Sequence, residues 1–164
     1  MSKSLELIDA LNERIQEITR EKQELGKEVV KELTAEIFEF GTVKMIYWNQ
    51  YTPYFNDGDE CIFRINDLMF CDRVIDCNPE HYDDEEYDED TGDRIVLNYG
   101  SIWSCTTKFD QSDVAAFGKE TLELLRKFYQ FMEQNEDLIR DIFGEHSEIF
   151  ITEESVEVSE YDHY

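Results

Sequence analysis

The residues best suited to chemistry crowd between positions 48 and 61, WNQYTPYFNDGDEC. Trp48, Tyr51, Tyr54 and Phe55 surround Pro53, and the run then breaks into Asn56-Asp57-Gly58-Asp59. Two chemistries suit these types. Clustered aromatic residues anchor protein partners, because each brings a large contact area at low entropic cost. Asp57 and Asp59 form a carboxylate pair, which acid–base catalysis uses when a closed pocket perturbs the pKa values. Catalysis also needs partners with perturbed pKa values, and no histidine is near in sequence. His81, His146 and His163 lie far along the chain, and no G-x-S-x-G, P-loop or H-E-x-x-H motif occurs. With 40 acids in 164 residues, neighbouring carboxylates also arise by chance. The expectation is therefore a contact surface at Trp48, Tyr51, Tyr54, Phe55 and Asp57, with no catalytic residue and no cofactor. The plainer alternative is that these rings cover the core. A small enzyme or metal-binding protein is a third.

A second patterned set lies upstream. Glu13, Glu17, Glu21, Glu24, Glu28, Glu32 and Glu36 recur at steps of three or four. On a helix this spacing gathers them into one sector, with carboxylates roughly 6 Å apart along the axis. Like charges at this spacing cost roughly 0.2–0.5 kcal/mol per pair, so the row works against the helix that carries it. Glu24, Glu28 and Glu32 are its central members and the candidate partner contacts; an ordinary solvated face is the plain alternative. The spacing is also close to that of phosphates along one nucleic-acid strand, which makes a nucleic-acid mimic the alternative function.

The metal test is negative in sequence. DEDTGD, residues 88–93, has its glycine at position five rather than six, and Tyr99 stands where an EF-hand has Glu. Cys61, Cys71, Cys77 and Cys105 contain no C-x-x-C pair, so no zinc site is assigned. Residues 80–93, EHYDDEEYDEDTGD, read as a solvated acidic loop, with loose binding of Ca²⁺ or Mg²⁺ as the alternative.

The formal charge is −25, from 40 acids against 15 bases. Nine of the acids fall in residues 80–93 and eight more after Arg140, where no Lys or Arg occurs; the rest of the chain holds 23 acids against the 15 bases. This balance argues against direct binding to nucleic acid or to anionic membrane, since both need clustered bases. It favours a protein partner with a basic surface. No apolar run approaches the roughly 20 residues of a membrane span, and MSKSLELIDALNER lacks a signal peptide's apolar core. A cytoplasmic setting with reduced thiols is the expectation.

These residues must be positioned by a single α+β domain, 1–164. Residues 3–40 read as one long helix. Ile8, Leu11, Ile15, Ile18, Lys22, Leu25 and Val29 alternate steps of three and four, a heptad seam with one polar interruption. Gly26 marks a close crossing or a weak point. Residues 113–143 read as a second helix, with Phe117, Thr121, Leu124, Phe128, Phe131, Asn135, Leu138 and Ile142 at heptad spacing. The economical arrangement is an antiparallel pair with facing seams; each helix packing on a sheet is the alternative. The seams also offer a route to a homodimer. Between the helices, residues 43–109 read as a small antiparallel β-meander, with strands at 43–51, 60–70, 73–77, 94–99 and 102–109. Residues 147–161 read as a terminal hairpin or one added strand.

The segment W-x-Q-Y-T-P-Y-F-N-D-G-D-x-C, residues 48–61, resembles one found in small uncharacterised bacterial and bacteriophage proteins. The resemblance covers under a fifth of the chain and implies a bacterial or phage setting, with no activity attached. The functional expectation is a non-enzymatic acidic interaction protein, an inhibitor in its simplest form.

Overall fold

A computed structural model describes residues 2–54, 58, 60–82, 87–94, 96–103 and 106–162. The first helix, α1, runs Lys3–Glu39, and the Ser2 hydroxyl caps it by accepting from the Ser4 amide at 3.2 Å. Its two halves differ. Beyond Gly26 it buries Val30, Thr34, Ile37 and Phe38 against the body of the protein. Before Gly26 it buries nothing: Leu5, Leu7, Ile8, Leu11, Ile15 and Ile18 are 49–64% exposed. Gly26 itself is a close crossing. A Cβ there would stand 2.9 Å from side-chain carbons of both Leu138 and Ile142.

The expected second helix is three. They are α2, Gln111–Phe117; α3, Lys119–Gln134; and α4, Glu136–Phe143. Gly118 breaks the first junction with φ +89°, a conformation that side chains with a Cβ rarely adopt. Asn135 breaks the second: its side-chain amide donates to the Phe131 carbonyl at 2.8 Å, competing with the helix ladder. The expected facing seams are not formed. α3 buries Thr121, Leu122, Leu125, Phe128, Tyr129 and Met132, a face broader than a heptad seam, in the core shared with the sheet. α1 packs on α3 and α4 only through its second half.

The sheet has six antiparallel strands: β1 Met45–Tyr51, β2 Arg64–Ile65, β3 Leu68–Cys71, β4 Tyr99–Ile102, β5 Ser147–Thr152 and β6 Val156–Glu160. The order is β4-β3-β1-β5-β6, with β2 also paired to β1. β1 is thus central, flanked by β5 from the far end of the chain, which no simple meander allows. The expected terminal hairpin is present as β5–β6. The expected strand at 73–77 is not; among the described residues of the two downstream segments, 99–102 pairs with β3 and Arg94 makes an isolated bridge to Tyr87, while residues 95, 104 and 105 lie outside the described residues. The β1 pairings with β2 and β3 differ in register by one residue, which leaves Asn66–Asp67 as a bulge. β6 forms an outer edge with every residue exposed.

Strand alternation sorts β1 onto two faces. Ile46 and Trp48 point to the helices and join Phe70, Ile102, Phe117, Leu125, Phe128 and Ile149. Met45 and Tyr47 point the other way and pack with Met69, Cys71 and Leu97. Among the described residues no helix is long and apolar enough to cross a membrane.

Candidate partner-binding surface

The eight residues singled out in sequence do not form one patch. Trp48 is a correction: it is fully buried, with its ring edge-on to Phe128 and Phe143 at 5.9 and 5.3 Å. Its indole N–H donates to the Gln50 carbonyl oxygen at 2.9 Å. It is a core residue and offers no surface to a partner. The reason lies in β1, where alternation puts Trp48 on the same face as Ile46.

Tyr51 and Tyr54 lie at the far end of β1. Tyr51 is half-buried, with its ring 5.7 Å from that of Tyr161. Tyr54 is 67% exposed and stacks on His146 at 5.0 Å. Between them the Thr52 hydroxyl donates to Glu145 at 2.7 Å. The aromatic surface that the structure describes is therefore a two-ring ledge, Tyr54 and His146, beside the Tyr51–Tyr161 pair. Phe55, Asp57 and Asp59 lie outside the described residues.

Glu24, Glu28 and Glu32 are exposed along α1 and make no ion pair among the described residues. Leu25, Val29 and Leu33 run beside them and, with Glu28, Glu32 and Glu36, line a shallow open groove. Gln50 links the acidic row to the aromatic ledge. Its amide donates to the Gly144 carbonyl at 2.6 Å and to the Ile139 carbonyl at 3.3 Å, holding the end of α4. The same part of α4 receives Gly26. The point where α1 leaves the body and the aromatic end of β1 therefore lie at one end of the molecule.

Two recesses have no counterpart in the sequence reading. A cleft of about 670 Å³ opens between the second half of α1 and the β5–β6 hairpin. Val30, Phe38, Ile151 and Val158 line it, and Lys27 and Lys31 supply cations at its rim. A smaller recess of about 280 Å³ lies on the other face of the sheet. There the Tyr47 hydroxyl donates to Glu148 at 2.9 Å, the Asn49 amide donates to Tyr47 at 3.3 Å, and the Asn66 amide donates to the Asn49 carbonyl oxygen. Burial first, and Glu148 with it, pushes the Tyr47 hydroxyl far above its ordinary range, so it stays a proton donor. Asp67, in the bulge at this recess, is also raised by burial and then by Glu80. Such a recess can hold a polar group by hydrogen bonds. Only the bulge could have hinted at it, through the Asn-Asp pair inside an apolar strand.

The acidic loop is a turn where it is described. The Asp88 carboxylate accepts from the amides of Asp90 and Thr91 at 2.7 and 3.1 Å, and Tyr87 bridges to Arg94. Residues 83–86 lie outside the described residues. The Cys71 thiol is buried, donates to the Arg73 carbonyl at 3.0 Å, and is pushed up to about 11 mainly by burial. Among the described residues, no three or more His, Cys, Asp or Glu side chains gather as a metal site requires.

No family model matches this chain, and neither a curated protein nor a solved structure does. The functional reading rests on the surface itself.

Proposed function

We propose that this protein is a non-enzymatic acidic interaction protein that occupies, and thereby inhibits, a basic surface of a partner protein. The observation that carries the reading is the row Glu24, Glu28 and Glu32. It is exposed and unpaired, and it stands on a helix anchored at Gly26 through a different face. Such a row concentrates negative potential on a rigid support, which speeds encounter with a basic partner and fixes its register. Tyr54 supplies the apolar contact at the same end of the molecule. Aromatic anchors and charged rows divide the labour in this way at many interfaces: the first slows dissociation, the second raises the association rate.

The test is retention of host proteins on the wild-type chain and on the combined Glu24→Gln, Glu28→Gln, Glu32→Gln variant, at low and high salt. A protein held by the wild type at low salt and lost by the variant supports the reading. Equal retention by both would remove the acidic row from the mechanism. Release of that protein by added duplex DNA would favour the mimic of a phosphate backbone, which the straight, evenly spaced row also supports.

A further inference from the structure

The first half of α1 presents an apolar seam that nothing among the described residues covers. Ile8, Leu11, Ile15, Ile18 and Leu25 are all about half exposed or more. Isolated helices owe little to propensity, and an exposed seam of this length on a soluble domain marks an interface. At about 100° per residue, the seam lies roughly a quarter turn from the face of Gly26, Val30 and Ile37 that meets the body. A second helix can therefore lie along it without displacing α3 or α4.

We infer that the occupant is α1 of a second copy of this chain, in an antiparallel two-stranded coiled coil. In heptad terms Ile8, Ile15 and Lys22 are a positions, and Leu11, Ile18 and Leu25 are d positions. Three observations choose the orientation. A parallel coil would set Lys22 against Lys22 in the buried seam. An antiparallel coil centred between residues 16 and 17 sets Ile15 on Ile18, Ile8 on Leu25, and Lys22 on Leu11. The lysine stem then covers the leucine while its ammonium reaches water. The flanking positions are self-complementary in the same register. Arg14 faces Glu21 of the second copy, and Asn12 faces Thr19, each pair occurring twice about the dyad, as an isologous interface requires. Arg14 already pairs with Glu17 of its own helix at 3.0 Å, and its guanidinium has donors for both carboxylates. The parallel register offers no such pair: Arg14 would face Thr19, and Glu21 would face Gly26. Lastly, each chain carries −25. The antiparallel coil puts the two acidic bodies at opposite ends of roughly 30 Å of helix, several times the Debye length of about 8 Å at physiological salt. The parallel coil would hold them side by side. In this heptad Glu24 lies away from the seam, Glu28 flanks it at the end of the coil and Glu32 falls at the limit of the overlap, so the dimer leaves Glu24 of both copies open.

Sedimentation equilibrium of the full chain tests this, from low to high micromolar concentration at physiological salt. The wild type is expected to be a dimer. Arg14→Glu and Glu21→Arg should each weaken association about tenfold, because each turns both attractive pairs repulsive. An equimolar mixture of the two variants should recover wild-type association, since opposite charges then face each other at both pairs. Far-ultraviolet circular dichroism of each variant checks that its helix content is kept, and recovery on mixing shows that neither fails by misfolding. A wild type that stays monomeric would overturn the proposal, as would a dimer indifferent to both substitutions. Variants that each lose association but do not recover on mixing would also overturn it.

Discussion

The two halves of α1 carry one continuous pattern and meet opposite surroundings. Residues after Gly26 bury Val30, Ile37 and Phe38 in a core that also holds Trp48 and Phe128. Residues before it leave seven large apolar side chains in solvent. The difference teaches that an amphipathic stripe states that a helix face is to be covered but not by what. In the second half the sheet-backed helices α3 and α4 do it; in the first half no element among the described residues does.

The sharpest test of that contrast is a matched pair of truncations. Ile37→Ala should cost about 2–5 kcal/mol, because Ile37 is fully buried and the core cannot close over the space. At a concentration low enough that the chain is monomeric, Ile15→Ala should change unfolding of the body by less than about 0.5 kcal/mol, since nothing among the described residues packs on it. Denaturant melts followed by near-ultraviolet circular dichroism of the core aromatics read both. Similar losses at the two sites would erase the distinction between the halves.

Gln50 is next in size. Gln50→Leu strands the Gly144 and Ile139 carbonyls and the Trp48 indole N–H, which should cost about 1–3 kcal/mol. A neutral substitution would mean that α4 is held by its apolar face alone. At the boundary between the halves, Gly26→Val should cost about 1–3 kcal/mol by driving α1 off Leu138 and Ile142. If the variant is as stable as wild type, the crossing is looser than its distances imply.

The smallest effect separates the body from the arm by pH. Asp67, Asp113, Glu133 and Glu136 are all held above the usual carboxylate range, first by burial and then by a neighbouring acid. All four belong to the body. A carboxyl with a raised folded pKa protonates more readily in the folded state. Its contribution is complete below the unfolded pKa and is lost as pH rises through the folded one. Thermal melts should therefore give a higher Tm at about pH 4, near the unfolded carboxylate range, than at pH 7.5. A Tm that rises as the pH is raised over this interval would contradict the burial of these groups.

Much of the architecture was legible in the sequence. The long first helix, the terminal hairpin and the α+β class follow from period and turn residues, which are local signals. The breaks at Gly118 and Asn135 were less so, because the apolar spacing runs through both. The insertion of β5 beside β1 was not legible at all. It depends on pairing Ile46 with Ile151 across more than half the chain, and no local pattern encodes that. Of the candidate surface, exposed Glu24, Glu28, Glu32 and Tyr54 were readable from type and spacing. Trp48 was misplaced although the signal was present: in a strand it must share a face with Ile46. Gln50 was passed over because its polar side chain reads as solvent-facing by type, although strand alternation puts it on the face of Trp48.

The outer edge of β6 carries a further consequence, for aggregation. Its backbone offers unpaired donors and acceptors, and Val156 and Val158 are 56% and 48% exposed beside it. Another chain could add there as a strand. What guards it is charge: Glu153, Glu154, Glu157 and Glu160 surround the two valines and act as gatekeepers. That guard works only while the carboxylates are ionised, and the sequence pI is about 4.2. Mild acid therefore acts twice and in opposite directions. It relieves the crowded carboxylates of the folded body while disarming the edge that keeps one folded body from templating the next, so thermal and colloidal optima fall at different pH.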